Sequence, residues 1–310
     1  MRPAVSVIVL VYGVEEYIEK CARSLFGQTM EDLEFIIVDD CTPDRSMEIL
    51  YSVLEDYPRR KDQVKVIHNE VNRGQAYSRR VGVEAATGEY IIHCDSDDWV
   101  DLDMYAKMYS KARECNLDLV ICQLAAVDHG HTDVIACSIG SEDILGDIIK
   151  GCMSPSLMNK LFSRMVYEKG VVYPRCNYSE DYAMTAQLVS NCTSFEYLYE
   201  PLYYYLAREG SISDIQTSIQ KTLQIKESLD LVISSLEARG LDMKYRDAIL
   251  YAKSLLKYSA IPLPRKDYLN VYPELNVSIL FNKSVPFEKR LGHLTHLLGI
   301  HGISKLFKKK

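Results

Sequence analysis

The sequence predicts an α/β protein with a mostly parallel central sheet, followed by a helical C-terminal region. Short β-branched segments alternate with segments of helical apolar spacing over residues 4–124, which is typical of right-handed βαβ units with parallel strands. From about residue 214 to residue 260 the pattern is helical only. This change predicts a boundary between a larger α/β domain, residues 1–213, and a helical region, residues 214–310.

Four short strands are predicted first, and each is apolar enough to be covered by helices on both faces. They span residues 4–11, 33–38, 64–67 and 90–93, and apolar residues at three- and four-residue spacing predict helices over 17–28, 47–57 and 75–86. The later elements are a helix over 101–115, a strand over 117–124, a helix over 180–188 and a strand over 201–205, with an irregular stretch at 125–155.

The composition is that of a soluble globular chain. Of its 310 residues 47% are apolar and 25% are charged, which is enough apolar content for a sizeable core. A formal net charge of -7 argues against broad nucleic-acid binding, so no nucleic-acid partner is expected. The nine cysteines show neither a Cys-x-x-Cys pair nor zinc spacing, which favours a reducing compartment.

The lack of a membrane span and of a secretory signal, together with the composition of residues 288–310, predicts a cytoplasmic location. No apolar stretch reaches the roughly 18 residues that a membrane span needs, and no secretory signal precedes the first strand. Residues 288–310 combine six Lys and Arg with one acid and with many large apolar residues. They predict either an interfacial helix on the cytoplasmic face of an anionic membrane or a terminal helix that packs on its own domain.

Polar loops follow the four N-terminal strands, at residues 12–13, 39–44, 72–74 and 95–98. In parallel sheets, ligands bind beyond the carboxyl ends of the strands. We therefore expect these loops to lie together and to form one site.

Residues 94–99 form an acidic cluster, Cys-Asp-Ser-Asp-Asp-Trp, directly behind an apolar strand. Carboxylates at a strand end are ligands for Mg²⁺ or Mn²⁺, which share their remaining positions with substrate phosphates. This interpretation predicts an enzyme that handles a nucleotide-diphosphate compound. The alternative is a plain turn that caps the next helix, and Asp98 suits either role.

Other common enzyme motifs are missing from the sequence. The turn after the first strand contains neither Gly-x-Gly-x-x-Gly nor Gly-x-x-x-x-Gly-Lys, so the dinucleotide-binding and P-loop classes lose their main support. A Gly-x-Ser-x-Gly elbow does not occur either.

Taken in order and spacing, several segments resemble glycosyltransferase family 2, whose members have the GT-A fold. They are Val-Ser-Val-Ile-Val at 5–9 with Tyr12, Ser-Leu-Phe-Gly-Gln-Thr at 24–29, Ile-Ile-Val-Asp-Asp-Cys-Thr-Pro-Asp at 36–44, Asn-Arg-Gly at 72–74, Gly-Glu-Tyr-Ile at 88–91 and Asp-Ser-Asp-Asp at 95–98. The resemblance covers about residues 4–215. The chain departs from it at Gly13, where Asn is common, at Cys41, where Gly is common, and at Arg80, where Asn is usual.

The resemblance implies inverting sugar transfer from a nucleotide-sugar with a divalent cation, Mn²⁺ or Mg²⁺. Tyr12 matches the residue that lies against the base, and Asp40 matches the carboxylate that binds the base, typically uracil. Arg73 is a further candidate for donor binding. Asp95 and Asp97 match the metal-binding motif, and Asp95 is also expected to contact the donor nucleotide.

Asp181 matches the family's general base, which takes the proton of the acceptor hydroxyl. Glu180 is a candidate for the acceptor side or a cap favoured by the helix dipole. Asn159 and Lys160 resemble a segment that frames the acceptor, the alternative being a half-buried strand whose Lys reaches solvent. Arg208 belongs to a closing pattern of the family, where it would contact the diphosphate or support a loop.

The expected function is metal-dependent, inverting transfer of one hexosyl or N-acetylhexosaminyl group from a UDP-sugar to a glycan or lipid-linked acceptor, as in cell-surface polysaccharide assembly. The missing Gln-x-x-Arg-Trp motif argues against a processive synthase. A non-catalytic nucleotide-sugar-binding or scaffold protein is an alternative, against which Asp95, Asp97 and Asp181 argue. A sugar nucleotidyltransferase would need a Gly-rich basic loop after the first strand, and residues 11–15 do not form one.

Overall fold

The structure is a computed structural model that describes residues 2–128, 131–135, 141–207, 218–281 and 285–299. Its strands join in one sheet, and over the described residues their spatial order is β3-β2-β1-β4-β8-β6-β9-β5, with β7 paired to β6.

Four parallel strands form one half of the sheet. They are β1 (Val5–Val11), β2 (Leu33–Asp39), β3 (Val64–His68) and β4 (Tyr90–Asp95). β1 is central, since Val5 pairs with Leu33 on one side and with Tyr90 on the other. Its side chains are almost all buried, as expected for a β-branched strand that is covered on both faces. The predicted strands are confirmed to within two residues.

Helices α1 (Ile18–Phe26), α2 (Ser46–Glu55) and α3 (Gln75–Ala85) connect these strands. Each buries the face that the three-four spacing predicts. α2 ends earlier than predicted because Pro58 follows Tyr57, and a residue before proline is pushed out of the helical conformation. A short 3₁₀ helix, Pro58–Gln63, leads from there into β3.

The other half of the sheet is mixed. β8 (Lys160–Ser163) pairs antiparallel with both β4 and β6 (Leu119–Asp128), whereas β6 pairs parallel with β9 (Phe195–Leu206). β5 (Trp99–Val100) pairs antiparallel with β9, and β7 (His131–Ile135) pairs antiparallel with β6. The predicted parallel arrangement therefore extends from β3 to β4 and ends at β8.

The sequence pattern was least informative between β5 and β9. Residues 125–155, expected to be irregular, contain the end of β6, then β7 and helix α5 (Ile144–Lys150). Helix α4 (Met104–Cys115) starts three residues later than predicted, with Asp103 at its N-cap position. β9 starts at Phe195, six residues before the predicted strand, and continues past a register shift near Pro201, which interrupts the strand pattern in the sequence.

Two further helices, α6 (Arg164–Glu168) and α7 (Glu180–Asn191), complete the α/β part. The C-terminal region is helical, as predicted: it comprises α8 (Ser218–Ala238), α9 (Arg246–Ser259), α10 (Arg265–Asn270), α11 (Leu275–Ser278) and α12 (Phe287–Leu297). α8 packs against α7, and α9 packs against α5, so this region adjoins the edge of the sheet where α7 begins. The predicted boundary at residues 213 and 214 lies outside the described residues.

Within the described part of the chain, no helix is both long enough and apolar enough to cross a membrane.

Candidate active site

A cavity of about 1120 Å³ lies at the carboxyl ends of β1, β2 and β4. The loops that follow these strands all contribute to its wall, so the predicted convergence of the polar loops is observed. Of the residues proposed from the sequence, those that line the cavity are Tyr12, Asp40, Asp95, Asp97, Glu180 and Asp181.

The loop after β1 presents Tyr12, whose side chain is 48% exposed. Gly13 follows with a φ of +66°, a conformation that favours Gly or Asn, so the departure from the common Asn keeps the backbone requirement. Its N–H donates to the Thr42 hydroxyl at 2.9 Å, which joins this loop to the loop after β2. Cys41 also has a positive φ, +58°, which explains why glycine suits that position better.

Asp40 follows β2 and is almost completely buried. Its Oδ1 accepts hydrogen bonds from Asn69 Nδ2 at 2.7 Å and from the Arg73 N–H at 2.8 Å. Its Oδ2 accepts from the Gly74 N–H at 2.8 Å. Asp40 therefore holds the 72–74 loop in place, and Oδ2 keeps one of its two lone pairs for a further donor such as the N–H of a base.

Arg73 contributes its backbone rather than its side chain to this arrangement. The guanidinium carbon lies 4.4 Å from the centre of the Tyr77 ring. Over the described residues, the cavity wall includes the neighbours Asn72 and Gly74 but not Arg73. A contact between the Arg73 side chain and a donor would therefore require this side chain to leave Tyr77.

The acidic cluster divides into two parts. Asp95 and Asp97 line the cavity, whereas Asp98 is 1% exposed and faces β9. Asp98 Oδ2 accepts from the Tyr203 hydroxyl at 2.6 Å, and Oδ1 accepts from the Leu206 N–H at 2.8 Å. The expected role of Asp98 as a cap was wrong, because the next helix has Asp103 at its N-cap position, and both carboxylate oxygens of Asp98 accept hydrogen bonds from β9.

The two cavity-lining carboxylates suit a divalent cation that is shared with a phosphate. In the described part of the chain, no group of three or more His, Cys, Asp or Glu could hold a metal ion by itself. Mg²⁺ is commonly bound through one or two carboxylates plus substrate phosphates, which matches Asp95 and Asp97. Burial raises the pKa of Asp95, Arg79 opposes this, and the charge of Asp97 raises it further, so a cation would relieve the repulsion.

Arg79, on α3, is a site residue that sequence reasoning missed. It is 2% exposed, its Nη2 lies 3.1 Å from Asp95 Oδ1, and its Nε lies 3.3 Å from Glu180 Oε1. It also lines the cavity, and its Nη1 is buried without a hydrogen-bond partner. The available signal was its position three residues after Ala76 and three before Gly82, on the buried face of α3.

Burial and the neighbouring carboxylates shift the pKa of Arg79 in opposite directions. Burial disfavours its positive charge, but the carboxylates of Asp95 and Glu180 outweigh burial and raise its pKa. A guanidinium that pairs with two carboxylates on different elements fixes their relative positions. Arg79 thus connects the end of β4 to the start of α7.

Glu180 and Asp181 begin α7, directly after Ser179, whose φ is +68°. Burial raises the pKa of Glu180 to about 7, partly against the charge of Arg79. Burial also raises the pKa of Asp181, while its hydrogen bond from the Tyr182 N–H, at 2.7 Å to Oδ1, opposes the increase. With Asp95, the cavity is therefore lined by three carboxyl groups with a raised pKa, a property that is common among groups that take part in general acid–base chemistry.

Asn159 and Lys160 are fully buried. Lys160 Nζ donates to the carbonyls of Ser154 and Ser156, at 3.0 and 2.7 Å, and to Asn159 Oδ1 at 3.0 Å. The alternative of a lysine that reaches solvent is therefore wrong. Ser154 and Ser156 line the cavity, so this pair shapes the wall by holding residues 154–156. Arg208 lies outside the described residues.

The C-terminal helices supply an apolar part of the cavity wall, which the sequence did not predict. Its side chains come from α8 and α9, and they are Ile225, Leu229, Ala252, Leu255 and Leu256. One cavity thus joins the charged sheet edge to an apolar helical surface.

The sheet, with Asp95 and Asp97 directly after β4 at the cavity, has the arrangement expected of the GT-A fold. The structure superimposes on that of S. aureus TarS in complex with UDP-GlcNAc with a TM-score of 0.63, over 96% of this chain and 92% of that chain, at 18% identity. It superimposes on a Pyrobaculum calidifontis mannosyltransferase in complex with GDP-Man and Mn²⁺ with a TM-score of 0.54, at 15% identity, over 100% of this chain and 89% of that one. These likenesses confirm the GT-A fold.

The sequence profile of glycosyl transferase family 2 matches residues 6–169, more than half of the chain, and the protein belongs to this family. Over 221 residues it is 34% identical to EpsH of Bacillus subtilis, which is itself assigned as a glycosyltransferase. That alignment covers 68% of this chain and 62% of EpsH. The family expected from the sequence motifs is thus confirmed.

Proposed function

We propose that the protein transfers a single hexosyl or N-acetylhexosaminyl group from a UDP-sugar to a glycan or lipid-linked acceptor, with inversion and with Mn²⁺ or Mg²⁺. The observation that carries the proposal is that Asp95 and Asp97, at the end of β4, and Asp181, at the start of α7, line the same cavity. Family membership supports the reaction class. The non-catalytic binding protein is disfavoured because binding alone needs no carboxylate at position 181.

The donor is proposed to bind with its base between Tyr12 and Asp40. The remaining acceptor position of Asp40 Oδ2 suits an imide N–H such as that of uracil. The TarS complex with UDP-GlcNAc and the mannosyltransferase complex with GDP-Man and Mn²⁺ support a nucleotide-sugar and a divalent cation in this fold. Asp95 and Asp97 would hold the cation, which when bound neutralises negative charge that develops on the diphosphate.

Asp181 is proposed to act as the general base. Its Oδ1 already accepts from the Tyr182 N–H, so Oδ2 is the atom assigned to the acceptor hydroxyl. As that hydroxyl attacks the anomeric carbon, its proton passes to the carboxylate and the bond to the leaving diphosphate breaks on the opposite face. Attack from the opposite face inverts the configuration at the anomeric carbon.

A screen of nucleotide-sugars tests the proposal directly. We expect a UDP-sugar to bind and to be hydrolysed slowly when Mn²⁺ or Mg²⁺ is present, and EDTA to remove both signals. Slow hydrolysis reports donor activation without knowledge of the acceptor. The proposal would be contradicted if no nucleotide-sugar bound, or if a nucleotide-sugar bound equally well with EDTA and with the metal ion.

The pH dependence distinguishes the two carboxylates at the start of α7. A base acts only when ionised, so its raised pKa predicts that transfer is lost as pH falls through that value. Because the pKa of Glu180 is about 7, this carboxyl group is largely protonated at lower pH and carries little charge there, so Glu180→Gln should leave the acidic limb of the kcat/KM profile where Asp181 sets it.

Glu168→Gln, on the exposed surface of α6, is the matched control and should leave the profile unchanged. Loss of transfer at every pH in Glu180→Gln would instead assign the base to Glu180.

The proposal includes an acceptor that is carried on a membrane lipid. Residues 288–310 would then make peripheral contact with the cytoplasmic face of an anionic membrane. The basic and apolar composition of this segment supports such a contact.

A further inference from the structure

Helix α12 packs on residues 268–276 of the C-terminal region through polar side chains. His293 is 1% exposed; its Nδ1 is hydrogen-bonded to the Tyr268 hydroxyl, and its Nε2 lies 2.9 Å from the Asn276 carbonyl oxygen. The centre of the His296 ring lies 4.4 Å from that of Tyr268. The inner face of α12 is thus formed by histidines and is fixed by specific hydrogen bonds.

Its outer face is apolar. Phe287, Leu291, Leu294 and Leu298 follow at i, i+4, i+7 and i+11, which places them within about 60° of one another around the helix. Phe287 is 69% exposed and Leu298 is 61% exposed. A surface helix of a globular protein normally buries its apolar stripe, whereas the stripe of α12 is half-buried at Leu291 and Leu294 and exposed at its two ends.

Helix α11 and the turn after it extend this face. Val277 is 60% exposed and Phe281 is 77% exposed. Arg290 links the two segments, because its Nη1 donates to the Leu280 carbonyl at 3.3 Å and its guanidinium carbon lies 5.8 Å from the Phe287 ring centre. We call Val277, Phe281, Phe287 and Leu298 the C-terminal apolar surface. Large exposed apolar groups that lie close together are typical of interaction sites.

The charge of the chain indicates what covers this surface. Residues 261–310 contain nine Lys and Arg against three acidic residues, whereas residues 1–260 contain 27 against 40. The sequence of residues 261–310, to which the C-terminal apolar surface belongs, is therefore basic in an otherwise acidic chain. Four of these nine basic residues are Lys of residues 300–310, which also contain several large apolar residues and no acid. Two copies of this chain would bring like charges together, whereas an anionic bilayer is complementary.

We propose that the C-terminal apolar surface inserts into the interface of an anionic lipid bilayer, with the surrounding basic residues against the headgroups. Val277, Phe281 and Phe287 precede the 288–310 segment considered above, and Leu298 lies within it, so the proposal adds α11, the turn after it and the start of α12 to that contact. The inference deepens the proposed function, since it rests on a membrane-linked acceptor for its purpose. Bilayer binding itself needs neither donor nor acceptor, so the two proposals can fail separately.

Co-sedimentation of the full-length protein with vesicles tests the inference. Vesicles that contain phosphatidylglycerol should bind the protein at low salt, and salt should weaken binding by screening. Phe287→Ser combined with Leu298→Ser should lower the vesicle partition constant by about tenfold or more, because both side chains lose their apolar contact with lipid. Both positions are exposed, so the thermal midpoint should be unchanged.

Met165→Ser is the matched control, because Met165 is 67% exposed on α6, outside this surface, and the variant should bind like the parent protein. Equal binding by the double variant and the parent would overturn the inference, as would failure of the parent to bind. A parent protein that is dimeric, and that the double variant converts to a monomer, would assign the surface to a second copy instead. Under every outcome, hydrolysis of the nucleotide-sugar by the double variant reports on the proposed function independently.

Discussion

Asp181→Asn is expected to reduce sugar transfer by roughly 10²-fold or more while donor binding is retained, in line with the loss of a general base. Asparagine has nearly the same shape and its Oδ1 can still accept the hydrogen bond from the Tyr182 N–H, so the start of α7 should keep its conformation. Its amide cannot take a proton from an acceptor hydroxyl. Transfer rates with saturating donor, together with the Kd for UDP in the presence of Mn²⁺, measure the two effects separately.

Glu180→Gln provides the comparison for this result, since it changes a carboxylate of the same helix turn that pairs with Arg79. It should keep most of the transfer activity and the acidic limb of the pH profile. If Asp181→Asn transfers sugar at nearly the parent rate, Asp181 is not the base, and Glu180 becomes the next candidate.

Asp97→Ala is expected to abolish Mn²⁺-dependent UDP binding without unfolding the protein. Asp97 lines the cavity in the loop after β4 and is only partly buried, so its removal leaves the core of the sheet intact. A cation that is shared between two carboxylates and a diphosphate loses a ligand that phosphate cannot replace. Calorimetric titration of UDP with and without Mn²⁺ measures the effect.

Asp101→Ala is a suitable control, because Asp101 lies four residues further on and its Oδ1 accepts from the Asp103 N–H. It should bind UDP as the parent protein does. Unchanged affinity of Asp97→Ala for UDP with Mn²⁺ would remove Asp97 from the metal site.

The parallel half of the fold could be predicted from the sequence because its strands are buried on both faces. Such strands appear as continuous β-branched segments, and β1 is the clearest example. The polar loops after them could be assigned to one sheet edge from topology alone. β6 to β9 were harder, since β9 is half-buried or exposed at all positions except Leu202 and Tyr203 and contains Pro201 at a register shift.

The lining of the cavity was predictable where a carboxylate stands at a strand or helix end, as at Asp95 and Asp181. It was not predictable where a charged side chain is buried by its tertiary partners. Arg79 was not identified, and the burial of Lys160 was not predicted. Arg79 is stabilised by carboxylates from β4 and α7, whereas Lys160 is stabilised by the nearby oxygen atoms of residues 154, 156 and 159. A charged residue type normally indicates a solvated position, and for Arg79 only its place on the buried face of α3 argues otherwise.

The apolar wall that α8 and α9 add to the cavity lies outside the part of the chain that the family profile matches. The family profile ends at residue 169, after the segments that contain Tyr12, Asp40, Asp95 and Asp97. The helical wall lies wholly beyond that limit. Under the proposed function, substitutions in α8 and α9 would change the apolar part of the cavity without altering Tyr12, Asp40, Asp95 or Asp97. A chimera that exchanges these helices is therefore expected to change acceptor choice and to keep donor binding.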